Sequence, residues 1–315
     1  MNLIDTRKSA GFDVIIIGGG PAGLSAALWC SNLGLDAVLL EKGSEFGGQL
    51  LWTFNEIENY LGIESAKNGR ELRDRFLQHL ESNNVRRVTN VDVTSVDLDQ
   101  KIVTLADGKS FSAAAIIIAT GVRRRKLDVP GEDEFQGRGI LSSGAQSGEQ
   151  VRGKQVVIVG GGDAALENAL ILARTADSVV IIHRRSKFTA RSEFLDRVGK
   201  QQNIQLLLET RVTSILGNDT VEYVELEDTV SGSVSRIAAD AVLIRIGVGP
   251  NTEIVPSQLD LDDSGYILID SHCSTSRTAI YATGDVANPI APTISSAVGQ
   301  AATAVKSIAN RRARS

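Results

Sequence analysis

The chain has 315 residues, of which 42% are hydrophobic and 23% charged, and its formal net charge is −5. These values are typical of a globular protein with about two domains, and the acidic balance gives no reason to expect nucleic acid as a partner. The longest apolar run, Ala113–Ala119, is too short to span a bilayer, so no membrane span is expected. Residues 1–12 show no apolar signal segment and the chain has only two cysteines, which predicts a cytoplasmic location.

A nucleotide-binding pattern follows the first apolar run. A predicted buried strand over residues 13–17 turns into a predicted helix, and the turn carries glycines in the spacing G-x-G-x-x-G: Gly18, Gly20 and Gly23. Such a unit holds a dinucleotide pyrophosphate on the backbone N–H groups at the helix N-terminus. Glu41 ends the next predicted strand, where a carboxylate accepts a hydrogen bond from a ribose 2′-hydroxyl.

The same pattern recurs later in the chain. After the predicted strand 155–159 come the three positions of a second fingerprint: Gly160, Gly162 and Ala165. At the offset where the first copy has Glu41, the second has a basic cluster: His183, Arg184 and Arg185. Such a cluster suits a 2′-phosphate, and Arg191 lies near enough to join it. The sequence therefore predicts two different dinucleotides, one with a 2′-phosphate and one without, between which electrons pass.

The order of the predicted elements indicates how the two copies are arranged. An alternating β region follows each copy, over Thr89–Leu105 and Gln205–Arg236, and each region leads to an apolar strand that ends at a glycine. These two strands predict the connections between domains, so the second copy is inserted in the first. We expect an α/β fold of two Rossmann-like, three-layer ββα nucleotide-binding domains. Their predicted ranges are 1–119 plus 247–315, and 120–246.

The last segment is predicted to return to the first domain. It contains apolar stretches near Ile267–Ile269 and Ile280–Ala282, which we interpret as strands, and a terminal helix that begins at about Thr293.

Eight blocks along the chain resemble the low-molecular-weight thioredoxin reductases and their relatives. In order they are Gly18–Gly23, Gly47–Leu50, Glu58–Tyr60, Ala119–Gly121, Gly160–Ala165, His183–Arg185, Gly249–Thr252 and Ala282–Val286. The resemblance implies an FAD-binding domain interrupted by an NADPH-binding domain, and a homodimer. It also implies that the NADPH domain rotates during the reaction.

The pattern and the resemblance together give the candidate site residues. Those expected to bind FAD are Gly18, Gly20, Pro21, Ala22, Gly23, Glu41, Lys42, Gly48, Gln49, Leu50, Asn59, Thr120, Gly121, Gly284 and Asp285. Those expected to bind NADPH are Gly160, Gly162, Asp163, Ala164, Ala165, His183, Arg184, Arg185 and Arg191. By the resemblance, Asp285 hydrogen-bonds the ribityl chain. We expect no catalytic acid or base and no metal, because the cofactors supply the chemistry.

The sequence departs from the family where thioredoxin reductases carry a C-x-x-C motif. The corresponding residues are Ser143-Gly144-Ala145-Gln146, followed by Ser147. A serine hydroxyl cannot form a disulfide, since that chemistry needs a thiolate and a resolving thiol. Cys30 and Cys273 lie far apart in the sequence and form no such motif. No dithiol relay is therefore expected.

These observations favour an NADPH-dependent FAD oxidoreductase that passes electrons directly from flavin to an external acceptor. The acceptor is left open between a ferredoxin- or flavodoxin-like carrier, a quinone and a small oxidant such as dioxygen. Two alternatives remain: disulfide reduction, as the family name suggests, or a non-catalytic redox sensor that binds flavin and NADPH. The basic run Arg123–Lys126 is interpreted either as a docking surface for an acidic carrier or as a structural or nucleotide-contacting segment.

Overall fold

The computed structural model describes residues 11–83, 85–255 and 257–314. They form two compact units, one of residues up to Arg123 and from Gly249 onward, the other of Arg124–Val248. The second unit thus interrupts the first, and the boundaries expected from the sequence lie a few residues earlier in the chain. Residues 1–10, which the sequence assigns to the first domain, lie outside the described range.

In chain order the elements are β1 (Phe12–Ile17), α1 (Pro21–Asn32), β2 (Ala37–Leu40), α2 (Gly69–His79), β3 (Arg86–Val88), β4 (Val93–Asp97), β5 (Ile102–Leu105), β6 (Ser110–Ile118), β7 (Val122–Arg124), β8 (Ile140–Leu141), α3 (Gly144–Ser147), β9 (Gln155–Val159), α4 (Asp163–Leu172), β10 (Ser178–Ile182), α5 (Ser192–Val198), β11 (Ile204–Leu207), β12 (Thr210–Gly217), β13 (Val221–Asp228), β14 (Val234–Ala238), β15 (Ala241–Ile244), β16 (Val248–Pro250), β17 (Ile280–Ala282) and α6 (Ile294–Arg312).

The first unit is built on a sheet in the order β3-β2-β1-β6-β5-β4, with β17 also paired to β6. Strands β1, β2, β3, β6 and β17 run parallel, while β4, β5 and β6 form the antiparallel region expected from the alternating pattern. Alternate residues of β1 enter different cores: Ile16 packs with α1 and α6, and Ile15 packs with β4 and β5. Because both faces of β1 are covered, its run is almost uniformly apolar.

The second unit repeats this layering. Its parallel sheet has the order β11-β10-β9-β15-β8. Ile158 faces α4 and α5, whereas Val157 faces the antiparallel sheet β12-β13-β14. Each unit therefore has helices, a parallel sheet and an antiparallel layer, which confirms the predicted fold class.

One local prediction from the sequence is wrong, and one helix was not predicted. The expected strand near Ile267–Ile269 is only an isolated bridge between Leu261 and Ile267, because its backbone N–H groups donate to separate segments: that of Ile267 to Val286 and that of Leu268 to Asp260. Helix α5 was missed, since it has only seven residues; Phe194 and Val198, four positions apart, anchor it to the core. No described helix is long and apolar enough to cross a membrane.

Candidate functional site

The first fingerprint needs glycines because backbone segments approach each other closely there. Gly18 has φ of +106°, and a Cβ at Gly23 would lie 1.8 Å from the carbonyl oxygen of Gly18. Helix α1 therefore begins directly against the end of β1, with Pro21 in its first turn and Gly20 as an N-cap that makes no side-chain hydrogen bond. The N–H groups of this first turn are left to a ligand, which is the arrangement that binds a pyrophosphate.

Glu41 follows β2 and lies beside this loop. Its carboxylate accepts hydrogen bonds from the backbone N–H groups of Gly19 and Gly43, both at 2.6 Å. A negative charge is thus fixed at the position where a Rossmann unit meets the adenosine ribose. Lys42 is exposed, and its ammonium group pairs with Asp92 at 3.1 Å.

A short 3₁₀ helix packs against the first glycine loop. A Cβ at Gly48 would lie 2.9 Å from the Cα of Gly20, so the short 3₁₀ helix Gly48–Trp52 begins against the glycine loop. Leu50 anchors this helix in the core. The Gln49 side-chain amide donates a hydrogen bond to Asp285 at 2.6 Å. Burial raises the pKa of Asp285, and the Gln49 hydrogen bond acts in the opposite direction.

The turn that carries Asp285 packs on the start of α1. Gly284 has φ of +76°, and a Cβ there would lie 2.9 Å from the Cβ of Ala22. Thr283 is fully buried, and its hydroxyl has no hydrogen-bond partner among the described residues. A buried hydroxyl without a partner is costly, so this one fits a polar atom of a bound ligand. Together with the free helix N-terminus and the Glu41 carboxylate, the donor set fits a flavin dinucleotide.

The remaining candidates for this site are less closely associated with it. Thr120 is held by the chain itself, because its hydroxyl donates to the Asn251 carbonyl at 2.7 Å. Gly121 has φ of +65°, with open space where a Cβ would stand. Asn59 is exposed on the loop before α2, and the structure does not bring it to the glycine loop through any hydrogen bond among the described residues.

The second fingerprint has the same backbone construction. Gly160 has φ of +150°, and a Cβ there would lie 2.1 Å from the Arg245 carbonyl oxygen. Gly162 is the N-cap of α4, Ala164 is exposed on its first turn, and Ala165 is buried against the sheet. This N-terminus likewise carries no side-chain cap.

His183 lies over the middle of this loop, as Glu41 does in the first unit. A Cβ at Gly161 would lie 2.2 Å from the His183 ring, and the ring stacks on Phe188 with centroids 5.2 Å apart. Burial lowers the pKa of His183 below its ordinary value; the hydrogen bond between its ring and the Lys187 carbonyl acts in the opposite direction, and the charges of Arg185 and Arg184 lower it further. The imidazole is therefore mainly neutral at pH 7 and contributes shape rather than charge.

The positive charge of the second site comes from the arginines. Arg184 and Arg185 are exposed, and neither guanidinium forms an ion pair within the described residues. Arg191 is held differently: its Nε donates to Asp163 at 2.7 Å, and its backbone N–H donates to the same carboxylate at 2.8 Å. Two unpaired arginines beside a glycine loop provide the chemistry that binds a 2′-phosphate.

The segment that departs from the family pattern lies in the second unit. Ser143 and Ser147 are buried, and the Gly144 N–H donates to Asn168 at 2.9 Å. Both cysteines lie in the first unit and are buried there. Burial raises the pKa of Cys30 to about 12 and that of Cys273 to about 11, with smaller contributions from nearby aspartates. Neither thiol is ionised at neutral pH.

The basic run Arg123–Lys126 forms contacts within the chain. Arg123 pairs with Glu253 and donates to the Pro250 carbonyl, and Lys126 pairs with Asp133. These contacts favour the structural interpretation of the run. Arg124 and Arg125 have no carboxylate partner in the described structure: the Arg124 guanidinium donates to the Ser142 carbonyl, and the Arg125 Nε donates to the Val248 carbonyl at 2.8 Å.

Sequence reasoning missed Arg245 and Thr283. Arg245 follows an apolar strand and gave no signal beyond its charge, and Thr283 was treated only as part of a motif. Their significance depends on burial and on neighbours that are distant in sequence.

Comparison with known proteins agrees with this geometry. The family model described as pyridine nucleotide-disulphide oxidoreductase matches residues 12–307. Thioredoxin reductase from Mycolicibacterium smegmatis is 38% identical over 276 residues, which cover 87% of this chain and 88% of the relative. Thioredoxin reductase from Listeria innocua is 38% identical, with coverage of 87% and 86%. A crystal structure of thioredoxin reductase from Lactococcus lactis matches with a TM-score of 0.84 and 34% identity, covering 96% of this chain and all of that chain.

The chain is therefore a member of the pyridine nucleotide-disulphide oxidoreductase family. Within this family it is similar to the thioredoxin reductases, which bind FAD and NADPH, and it is an FAD-dependent NAD(P)H oxidoreductase. A bacillithiol disulfide reductase from Staphylococcus aureus, at 20% identity and a TM-score of 0.78, shares the fold.

Proposed function

We propose that the first unit holds FAD, that the second unit holds NADPH, and that reduced flavin passes its electrons directly to an acceptor outside the chain. The state of the cysteines carries this proposal. A relay needs two thiols that exchange with each other and ionise readily. The chain has two cysteines, both buried and protonated, and serine and glutamine stand at the two positions where relatives have the redox pair.

Each site contributes binding and orientation in this scheme. When bound, FAD supplies the chemistry by taking a hydride equivalent from the nicotinamide and passing on two electrons. The α1 N-terminus binds the FAD pyrophosphate, and Glu41 accepts a hydrogen bond from the adenosine ribose. Asp285 and Thr283 provide polar groups for the rest of the FAD molecule. In the second unit, Arg184 and Arg185 bind the 2′-phosphate.

The nature of the acceptor is the second part of the proposal. The named relatives are thioredoxin reductases, which supports the disulfide-reductase alternative over a ferredoxin-like carrier. Combined with the missing cysteine pair, this support favours a disulfide that meets the reduced flavin without an intermediate dithiol. A quinone or dioxygen is the second candidate, because neither requires a thiol on the enzyme.

Anaerobic mixing with NADPH tests the first part. Prompt bleaching of the visible flavin absorbance is expected, and the double variant Cys30→Ala plus Cys273→Ala should bleach at the same rate. Absence of bleaching in the native protein would favour the non-catalytic sensor, and a protein that cannot be loaded with flavin would contradict the whole scheme.

A panel of oxidants then identifies the acceptor. The reduced protein is mixed with thioredoxin, a small disulfide, a ferredoxin, a quinone and dioxygen, and flavin reoxidation is followed. Turnover that persists in the cysteine double variant is expected. Turnover with thioredoxin that disappears in that variant would restore a thiol relay.

We also propose that the chain forms a homodimer, as the family resemblance implies. Light scattering after size-exclusion chromatography is expected to give twice the mass of 33.6 kDa, and a monomeric mass would contradict the proposal.

A further inference from the structure

Two arginines of the second unit converge on a single backbone oxygen. The guanidinium groups of Arg124 and Arg245 both donate to the carbonyl of Ser142, and the Arg245 contact measures 2.9 Å. Arg245 also donates to the Ile244 carbonyl at 2.8 Å. Neither arginine forms an ion pair with any carboxylate in the described part of the chain. Two like charges are thus held side by side without a counter-charge.

This arrangement is unfavourable unless an anion joins it. Carbonyl oxygens carry only a partial charge and cannot neutralise two guanidinium ions. Burial, and secondarily the neighbouring Arg124, lowers the pKa of Arg245 to about 10, and partial desolvation of the Arg124 guanidinium lowers the pKa of that group. Both groups remain charged at neutral pH. Arginine presents several N–H donors, so the donors that Ser142 does not use remain available to an oxyanion.

The position of the pair indicates which oxyanion would reach it. Strands β9, β10 and β11 follow one another outward in the sheet, and β15 returns to the opposite side of β9. The topological switch point therefore lies between β9 and β15, and dinucleotides bind across the carboxyl ends of strands at such a point. Gly160 follows β9 and Arg245 follows β15, and the Arg245 carbonyl packs against Gly160.

The residues that follow β10 show where the adenosine end of the dinucleotide lies. His183, Arg184 and Arg185 follow β10, so the adenosine ribose lies toward β10 and the nicotinamide half extends toward β15 and β8. Neighbouring strands are about 4.8 Å apart, so Arg245 and Ser142 lie about one and two strand spacings from the glycine loop. Because the Arg245 backbone packs against Gly160, the pair lies on the side of the glycine loop toward which the pyrophosphate continues to the nicotinamide.

We propose that Arg124 and Arg245 form an anion site for the phosphate on the nicotinamide side of the bound coenzyme. This inference rests on the proposed function of the second unit. The pair acts separately from Arg184 and Arg185, which recognise the adenosine 2′-phosphate. Arg184 and Arg185 thus select the coenzyme that carries the 2′-phosphate, whereas Arg124 and Arg245 hold its nicotinamide half.

Calorimetric titration of the flavin-loaded protein with two probes separates these roles. Tetrahydro-NADP contains both halves, has an uncharged ring and cannot deliver a hydride. Adenosine 2′,5′-bisphosphate lacks the nicotinamide half. In the double variant Arg124→Gln plus Arg245→Gln, we expect the Kd of tetrahydro-NADP to rise about tenfold, while the Kd of the bisphosphate changes less than about twofold.

Control variants make the result specific. Arg184→Ala plus Arg185→Ala should weaken both probes. Arg211→Ala plus Arg236→Ala removes the same amount of charge from the antiparallel sheet, where these residues pair with Glu227 and Glu225, and should weaken neither. Because Arg124 is exposed, Arg124→Gln alone should fold, and it should still weaken tetrahydro-NADP severalfold.

Two outcomes would overturn the inference. The first is an unchanged Kd for tetrahydro-NADP; if the KM for an anionic acceptor such as anthraquinone disulfonate rises at the same time, the pair belongs to the acceptor. The second is an equal loss for both probes. Each differs from failure of the proposed function, in which the native protein would bind neither probe.

Discussion

The two glycine loops of this chain have the same backbone construction and opposite charge. In each, the first glycine has a positive φ, the helix begins without a side-chain cap, and a side chain from the end of the next strand covers the middle of the loop. That side chain is the Glu41 carboxylate in the first unit. In the second it is the neutral His183 ring, followed by two exposed arginines. The shared backbone is the construction that binds a pyrophosphate, and we propose that the side chain determines which ribose is accepted.

The loops also differ at the third fingerprint position. A Cβ at Gly23 would lie 1.8 Å from a backbone oxygen, whereas the Cβ of Ala165 is accommodated and buried. The helix of the first unit therefore approaches its loop more closely than the helix of the second. The same sequence pattern thus tolerates two different packing distances.

The largest effect is expected on coenzyme affinity, when the positive charges beside the second glycine loop are removed. Arg184→Ala plus Arg185→Ala should weaken NADPH binding by about 3–4 kcal/mol in total, because in the proposed site each arginine donates a charge-assisted hydrogen bond to the 2′-phosphate. NADH, which lacks that phosphate, should bind almost as before. Competition binding against a fluorescent coenzyme analogue measures both affinities. Equal loss for the two coenzymes would contradict the phosphate assignment.

A smaller effect is expected from exchanging the third positions. Gly23→Ala should destabilise the protein by about 2–3 kcal/mol, because the new methyl group must displace backbone rather than a flexible side chain. Ala165→Gly should cost about 1 kcal/mol through loss of helix propensity. Urea unfolding followed by circular dichroism gives both values, with flavin retention as a second measurement. If the two substitutions cost the same, the packing difference between the loops has no energetic consequence.

The smallest effect is expected from the titration of His183. Its native pKa lies below the ordinary 6.5, so between these two values the unfolded chain binds a proton that the native chain does not. The stability that is present above pH 6.5 is therefore lost as the pH falls through this window. Because the ring is partly exposed to solvent, the loss should be less than about 1 kcal/mol.

The variant His183→Phe keeps a ring over Gly161 but cannot titrate. Its unfolding midpoint should fall less steeply than that of the native protein between pH 7 and 5, as measured by thermal melts in matched buffers. Parallel curves for the two proteins would show that His183 is not responsible for the pH dependence.

Much of the architecture could be predicted because it depends on local patterns. The buried strands were recognised as apolar runs, and the glycine spacing located both helix starts, with β9 predicted at its observed bounds. The prediction failed where an apolar stretch bonds to separate segments and not to one neighbouring strand, as at Ile267, or where a helix is too short for its period to appear, as in α5. The equal offsets of Glu41 and His183 also followed from the pattern, because the second strand of each unit has nearly the same length.

The sequence by itself determined the family, the fold class, the contrast between Glu41 and the arginine cluster, and the absence of a C-x-x-C motif. Each of these depends on residue identity at a fixed spacing. Only the tertiary structure decided that His183 is neutral, that Arg191 is held by Asp163, and that Thr283 has no partner among the described residues. It alone brought Arg124 and Arg245 to one carbonyl oxygen. The physical reason is that pKa, pairing and desolvation depend on neighbours distant in sequence, and folding alone brings those neighbours together.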